Sequence, residues 1–243
     1  SAAEQRAMAY IISKIKPTDK SYQLNYQIDI SQYGKVCGLP DNGTLYNKTK
    51  TLLKGLRDKS MWLKTEDGHE VVVGWLRDVD LNPSSGIVCV SIDKRLAPYL
   101  FDLKQRFVSY GLIYYLALRS KYAQRLYELF KSYLINKKCR RTIALQVLYQ
   151  QLDITAKYKY KDLRVNVLDV ATREINDCTD ISVSYQPIKT GRTVTAIEIQ
   201  ILLKEPLDRY TADVKANAYL DRKISPQTRG QLEFDQYGSL TEL

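Results

Sequence analysis

Three groups of residues in this 243-residue chain have types and spacing suited to making contacts rather than filling a core. The first comprises Lys161, Arg164, Val165, Asn166, Asp169 and Arg173. Asparagine can pair through two hydrogen bonds with adenine, arginine likewise with guanine, and valine can rest on a thymine methyl. Aspartate suits the set least, because it repels phosphate unless it accepts from cytosine. The second group, Lys189 and Arg192, brackets Gly191 in a turn-like stretch, where a side chain would meet phosphate or the minor groove. The third, Lys48, Lys50 and Lys54, lies on the polar side of a helix-like stretch and would meet phosphate. A solvated helix face carries the same residue types, so the pattern alone leaves both readings open.

Catalytic chemistry has little to stand on. His69 is the single histidine, and it follows Glu66-Asp67-Gly68, which reads as an exposed turn. A Ser-His-Asp triad would have to rest on it, and a metal held between two histidines is excluded by the count. Cys37, Cys89, Cys139 and Cys178 are widely spaced with no C-x-x-C pair, which suits reduced thiols in a cytoplasm. No G-x-x-x-x-G-K-[ST] loop is present, so no nucleotide is expected, and neither cofactor nor metal is predicted. The remaining enzymatic alternative is DNA nicking or priming through one of the 19 tyrosines.

Charge points elsewhere. Lys plus Arg number 37 and Asp plus Glu 27, a net charge of +10. Such an excess favours a polyanionic partner, because each neutralised phosphate releases a counterion. Residues 119–203 carry 15 basic and 8 acidic residues, against 16 and 12 in 1–118 and 6 and 7 in 204–243. The longest apolar run, Gly111 to Leu118, is far short of the roughly 18 residues of a membrane helix, so no membrane contact is expected. Ser1 to Arg6 is no signal peptide and reads as a boundary inside a longer gene product.

The elements that would position these residues follow from periodicity. Met8, Ile11, Ile12 and Ile15 mark a helix that Pro17 ends, and Tyr22 to Ile30 alternates as a strand. Ser31 is placed to cap a short helix reaching Val36. After the Asp41-Asn42-Gly43 turn, a helix from Thr44 buries Leu45, Thr49, Leu52, Leu53 and Leu56. Strands are expected at Met61–Lys64, Val71–Val79 and Ile87–Ile92. The last is apolar, and either pairs edge to edge with a copy of itself or lies centrally within its own sheet. A second round begins at Ser120, which caps a helix with Tyr122, Leu126, Leu129, Phe130 and Tyr133 inside. The basic run Lys137 to Arg141 is either a solvated loop or a phosphate contact. A helix at 145–152 and a third at 162–176 follow. Leu163, Val167, Leu168, Ala171 and Ile175 form the inner stripe of that third helix. Two strands, 181–185 and 193–203, are joined by 186–192 as a wing. The order is that of an α+β protein with two tandem winged-helix (helix-turn-helix) domains, 1–118 and 119–203. Residues 204–243, with Pro206 and Pro226, read as a partly ordered tail or arm.

Leu118-Arg119-Ser120-Lys121-Tyr122-Ala123-Gln124-Arg125-Leu126-Tyr127-Glu128-Leu129-Phe130 resembles a signature of the iteron-binding plasmid replication initiators. Glu4-Gln5-Arg6 with Ile12-Ser13-Lys14-Ile15 is similar to their opening helix. Val167 to Ala171, Glu174-Ile175-Asn176 and Asp180-Ile181 are similar to the third helix of their second domain, with Gly191-Arg192 at the wing. The resemblance spans residues 4–203. It implies that the second domain reads double-stranded origin DNA through its third helix, while the first adds backbone contacts or forms a dimer. It also implies monomers that open the origin, homodimers that repress their own gene, and recruitment of host replication proteins such as the helicase, all in the cytoplasm. A winged-helix transcriptional regulator without a replication role is the alternative. The chain departs from the family pattern at Val165 and Asn166, where further basic residues are usual, so its target repeat is expected to differ. The family's lead-in is not expected ahead of Glu4.

Overall fold

The computed structural model describes residues 1–15, 24–40, 43–65, 67–101, 109–134, 137–154 and 158–221. Pro17, Tyr22, Gln23, Asp41, Asn42, Glu66 and Pro226 lie outside these residues. Contacts divide the chain into two compact units, Ala3–Arg106 with Tyr219–Leu243, and Phe107–Ala218. The boundary expected at 118 therefore falls inside the second unit.

The first unit runs α1 (Ala2–Ser13), β1 (Asn25–Asp29), α2 (Ile30–Val36), α3 (Gly43–Arg57), β2 (Ser60–Lys64), β3 (Glu70–Gly74), β4 (Leu76–Asn82), β5 (Ile87–Ile92) and α4 (Ala97–Leu100). Leu45, Thr49, Leu53 and Leu56 of α3 are buried at helical spacing, as the sequence requires, and Leu52 lies at the margin. Asp29, not Ser31, caps α2: its Oδ1 accepts the Gln32 N–H at 3.0 Å. The strand expected over Val71–Val79 is two strands. The chain turns at Gly74-Trp75, where a Cβ on Gly74 would lie 3.2 Å from the Leu76 carbonyl oxygen. β3 pairs with β2 in a hairpin, while β4 joins a separate sheet of order β1-β5-β4. β5 is thus the middle strand, antiparallel to β1 on one side and to β4 on the other. Self-pairing through β5 is ruled out, because both of its edges are already hydrogen-bonded.

The second unit repeats the order helix, strand, helix, helix, hairpin. It contains α5 (Leu112–Ala117), α6 (Lys121–Tyr133), β6 (Lys138–Ala144), α7 (Leu145–Gln151) and α8 (Tyr160–Leu163). A π-helical turn (Arg164–Leu168) leads into α9 (Asp169–Cys178), then β7 (Ile181–Thr190), β8 (Thr193–Leu203) and α10 (Pro206–Asp221), which belongs to this unit as far as Ala218. The α5 segment belongs here because Tyr110 stacks on Tyr115, meets the Tyr127 ring edge-on, and donates to Glu128 at 3.1 Å. Ser120 caps α6 through the Tyr122 N–H at 3.2 Å. The buried stripe of α6 is Ala123, Gln124, Leu126, Tyr127 and Phe130. It is centred one position away from the expected one, because Tyr127 reaches a buried carboxylate.

The basic run expected as a loop is mostly strand. Lys138 to Ala144 pair with β8 from Leu202 to Ala196 in a sheet of order β6-β8-β7. Its charges stay outside: Arg140 reaches Glu198 at 2.6 Å and Arg141 covers the Tyr133 ring at 4.3 Å. The expected tail begins as a helix. Ala212, Ala216 and Leu220 of α10 recur every four residues and are buried, and Lys215 lies 3.3 Å from Asp177.

Candidate nucleic-acid interface

The third helix of the second unit is helical from Tyr160 to Cys178, two residues longer at each end than its apolar stripe predicts. Leu163, Val167, Leu168, Ala171 and Ile175 are all buried. Lys161, Arg164, Val165, Asn166, Asp169 and Arg173 are all exposed, and Thr172 lies between. An ordinary α-helix brings one residue in three or four to a given face. The buried Leu163 and Val167 are four residues apart, so the three between them, Arg164, Val165 and Asn166, stand outside in succession. Val165 and Asn166 are both outward, with Val165 at 47% exposure.

Several bonds fix this helix in place, and they involve the residues that carried the family resemblance. Glu174 Oε2 accepts the backbone N–H groups of Arg119 and Ser120, at 2.9 and 3.1 Å, at the start of α6. Asn176 donates to the Val183 carbonyl at 2.9 Å and accepts its N–H at 2.6 Å, joining the end of α9 to β7. Asp180 is buried and accepts from the Tyr127 hydroxyl and the Lys131 ammonium, each at 2.7 Å. A buried carboxylate needs such partners, since an unpaired one would be costly. Gln124 donates to the Leu118 carbonyl at 3.1 Å. The motif residues are therefore scaffolding that sets the angle of the third helix.

Two exposed residues of the helix are themselves tied down by tyrosines. Tyr185, on β7, donates its hydroxyl to Asp169 Oδ1. Burial, and then this carboxylate, raise the Tyr185 hydroxyl well above its ordinary range, so it remains a donor. Asn166 Nδ2 donates to the Tyr158 hydroxyl at 3.4 Å. Sequence reasoning missed these tyrosines.

The wing is longer and more regular than expected. Residues 186–190 are strand rather than loop, paired up to Thr190 opposite Thr193. Pro187 is tolerated because β7 is an edge strand and needs no further donor. Gly191 at φ 62° makes the turn, and Lys189 and Arg192 are exposed beside it. The pairing shifts between Ile188 and Lys189, a β-bulge that twists the wing tip.

In the first unit, α3 presents Lys50 and Lys54 to solvent on the side away from Leu45 and Leu56, with Lys48 exposed at the edge of that side. Lys54 pairs with Asp58 at 2.8 Å, one turn on. The hairpin β2–β3 follows directly, with His69 in its exposed turn as expected and Trp62 opposite Val72 on its outer face. Among the described residues no group of His, Cys, Asp and Glu could hold a metal, and no helix is long and apolar enough to cross a membrane.

Two units of this kind, each ending a three-helix arrangement in a hairpin, define a tandem winged-helix protein. Residues 1–131 match the family described as "Initiator Replication protein, WH1", and residues 144–201 that described as "Initiator Rep protein, WH2". The chain belongs to this family of replication initiator proteins. It is 26% identical over 165 residues to the PI protein of Escherichia coli, covering 61% of this chain and spanning about half, 52%, of that relative. A crystal structure of Pi initiator protein in complex with iteron DNA has the same fold. It shares 18% identity and a TM-score of 0.73 over 84% of this chain and 92% of that one. Domains 2 and 3 of RctB are more distant, at 12% identity and a TM-score of 0.51 over 82% and 81%.

Proposed function

We propose that this chain binds repeated double-stranded sequences, iterons, at a plasmid origin and initiates replication there without catalysing a reaction itself. The observation that carries this reading is the outer face of the third helix. Its bonds to α6 and β7 hold it rigid while Lys161, Arg164, Val165, Asn166 and Arg173 stay exposed. The likeness to a protein solved on iteron DNA supports it. In this reading Asn166, Val165, Arg164 and Arg173 meet base edges, and Lys161, Lys189 and Arg192 meet the backbone. Asp169, held by Tyr185, sets the helix against the wing rather than reading a base. Lys48, Lys50 and Lys54 add backbone contacts from the first unit. Monomers occupy iterons, a homodimer represses the protein's own gene, and a host helicase is recruited, all in the cytoplasm.

The test is a footprint with purified protein on the DNA flanking its gene. Protection of several direct repeats, without ATP, is the expected result. Protection of a promoter alone would make the chain a transcriptional regulator. A nick or a covalent tyrosyl adduct on supercoiled DNA with divalent metal would make it an enzyme.

A further inference from the structure

Tyr158 has a place that its position ahead of the recognition helix does not explain. Its own carbonyl accepts the Tyr149 hydroxyl at 2.9 Å, which pins it to α7. Its hydroxyl then receives Asn166 Nδ2 at 3.4 Å. A carboxamide has two N–H donors and one carbonyl acceptor. With one N–H on Tyr158, Asn166 retains one N–H and its Oδ1. Those are the groups that adenine requires, the N–H for N7 and the oxygen for the N6 amino group. Val165, which precedes it in the chain, is exposed as well, and valine suits a thymine methyl.

We infer that Tyr158 is a positioning residue for base readout: it orients the Asn166 amide toward adenine, so that with Val165 this stretch selects A·T pairs. The inference rests on the DNA-binding function proposed above. An exposed side chain loses rotamer freedom when it binds, and a preset rotamer reduces that loss. Tyr158 gives Asn166 this preset orientation through a single hydrogen bond, with its anchor on a different helix.

The experiment begins with full-length wild-type protein and a pool of randomised duplexes. Enrichment of a sequence with fixed A·T pairs is expected. Tyr158→Phe, which keeps the ring, should reduce the preference for adenine at one position roughly 2- to 10-fold, the range of one net hydrogen bond. It should leave binding to unrelated duplex and the salt dependence unchanged, and should add nothing in an Asn166→Ala background. Replacing that adenine by 7-deazaadenine removes the N7 acceptor, and so tests the bond from Asn166 to the base without altering the protein. It should weaken the wild type and leave Asn166→Ala unaffected. Equal losses on every duplex for Tyr158→Phe, or an undiminished loss on top of Asn166→Ala, would overturn the inference. So would a 7-deazaadenine duplex that wild type binds normally. If wild type enriches no sequence at all, the DNA-reading function falls as well; if it enriches one that Asn166→Ala still reads unchanged, only the inference falls.

Discussion

Asn166 and Lys189 both end in exposed polar groups, but a duplex would treat them differently. A base edge is one sequence among many, whereas every phosphate is the same. Asn166→Ala and Arg173→Ala should each cost about 1–3 kcal/mol on the specific site and little on random DNA. Lys189→Ala or Lys50→Ala should weaken both about equally, each lowering the salt slope by about one. Lys54 must first leave Asp58, so Lys54→Ala is expected to lose less than Lys50→Ala. Competition binding with a scrambled site measures all of these. The cysteines differ as sharply. Burial pushes the Cys37 thiol up to about 12, while Cys89 is exposed. The thiolate is the reactive form, so a thiol reagent near neutral pH should label Cys89 promptly and Cys37 only after unfolding. Mass spectrometry of digested protein gives the order.

β5 shows how an element's neighbours decide what a substitution does. Val88 is fully buried on the middle strand, between Ile28 of β1 and Leu81 of β4. Val88→Lys would bury an unpaired charge and should destabilise the first unit by about 4 kcal/mol or more. Chemical denaturation should show that loss in the unmodified oligomeric state, with no dimer released by the change. The inner faces of α3 and of the third helix of the second unit were legible in the sequence, because Leu45-Thr49-Leu53-Leu56 and Leu163-Val167-Ala171-Ile175 keep a local period that needs no partner. β6 was not legible. Lys138 to Arg141 become strand only because β8, some sixty residues on, offers a free edge, and charge says nothing of that pairing. The π-helical turn was hidden for another reason: its buried Val167 and Leu168 fit an α-helical stripe equally well. The Tyr158–Asn166 and Tyr185–Asp169 bonds depend on folded geometry, and among so many tyrosines no spacing singled these two out. At the wing, Gly191 carries a positive φ, so Gly191→Ala should cost about 1 kcal/mol in thermal unfolding without touching the third helix.

At the scale of the whole chain, the charge of +10 is concentrated where the second winged helix lies. Binding through two such modules should fall with salt at a log–log slope of roughly 6–10, and an affinity insensitive to salt would refute the phosphate contacts. The chain also holds two tryptophans, and both are in the first unit: Trp62, 70% exposed on the β2–β3 hairpin, and Trp75, half-buried at the break between β3 and β4. Indole fluorescence is therefore a private channel to that unit. A quencher in solution would reach Trp62 before Trp75, so the emission separates the hairpin's surroundings from the unit's interior. A titration that changes binding but leaves the indole signal still would be the second winged helix acting alone.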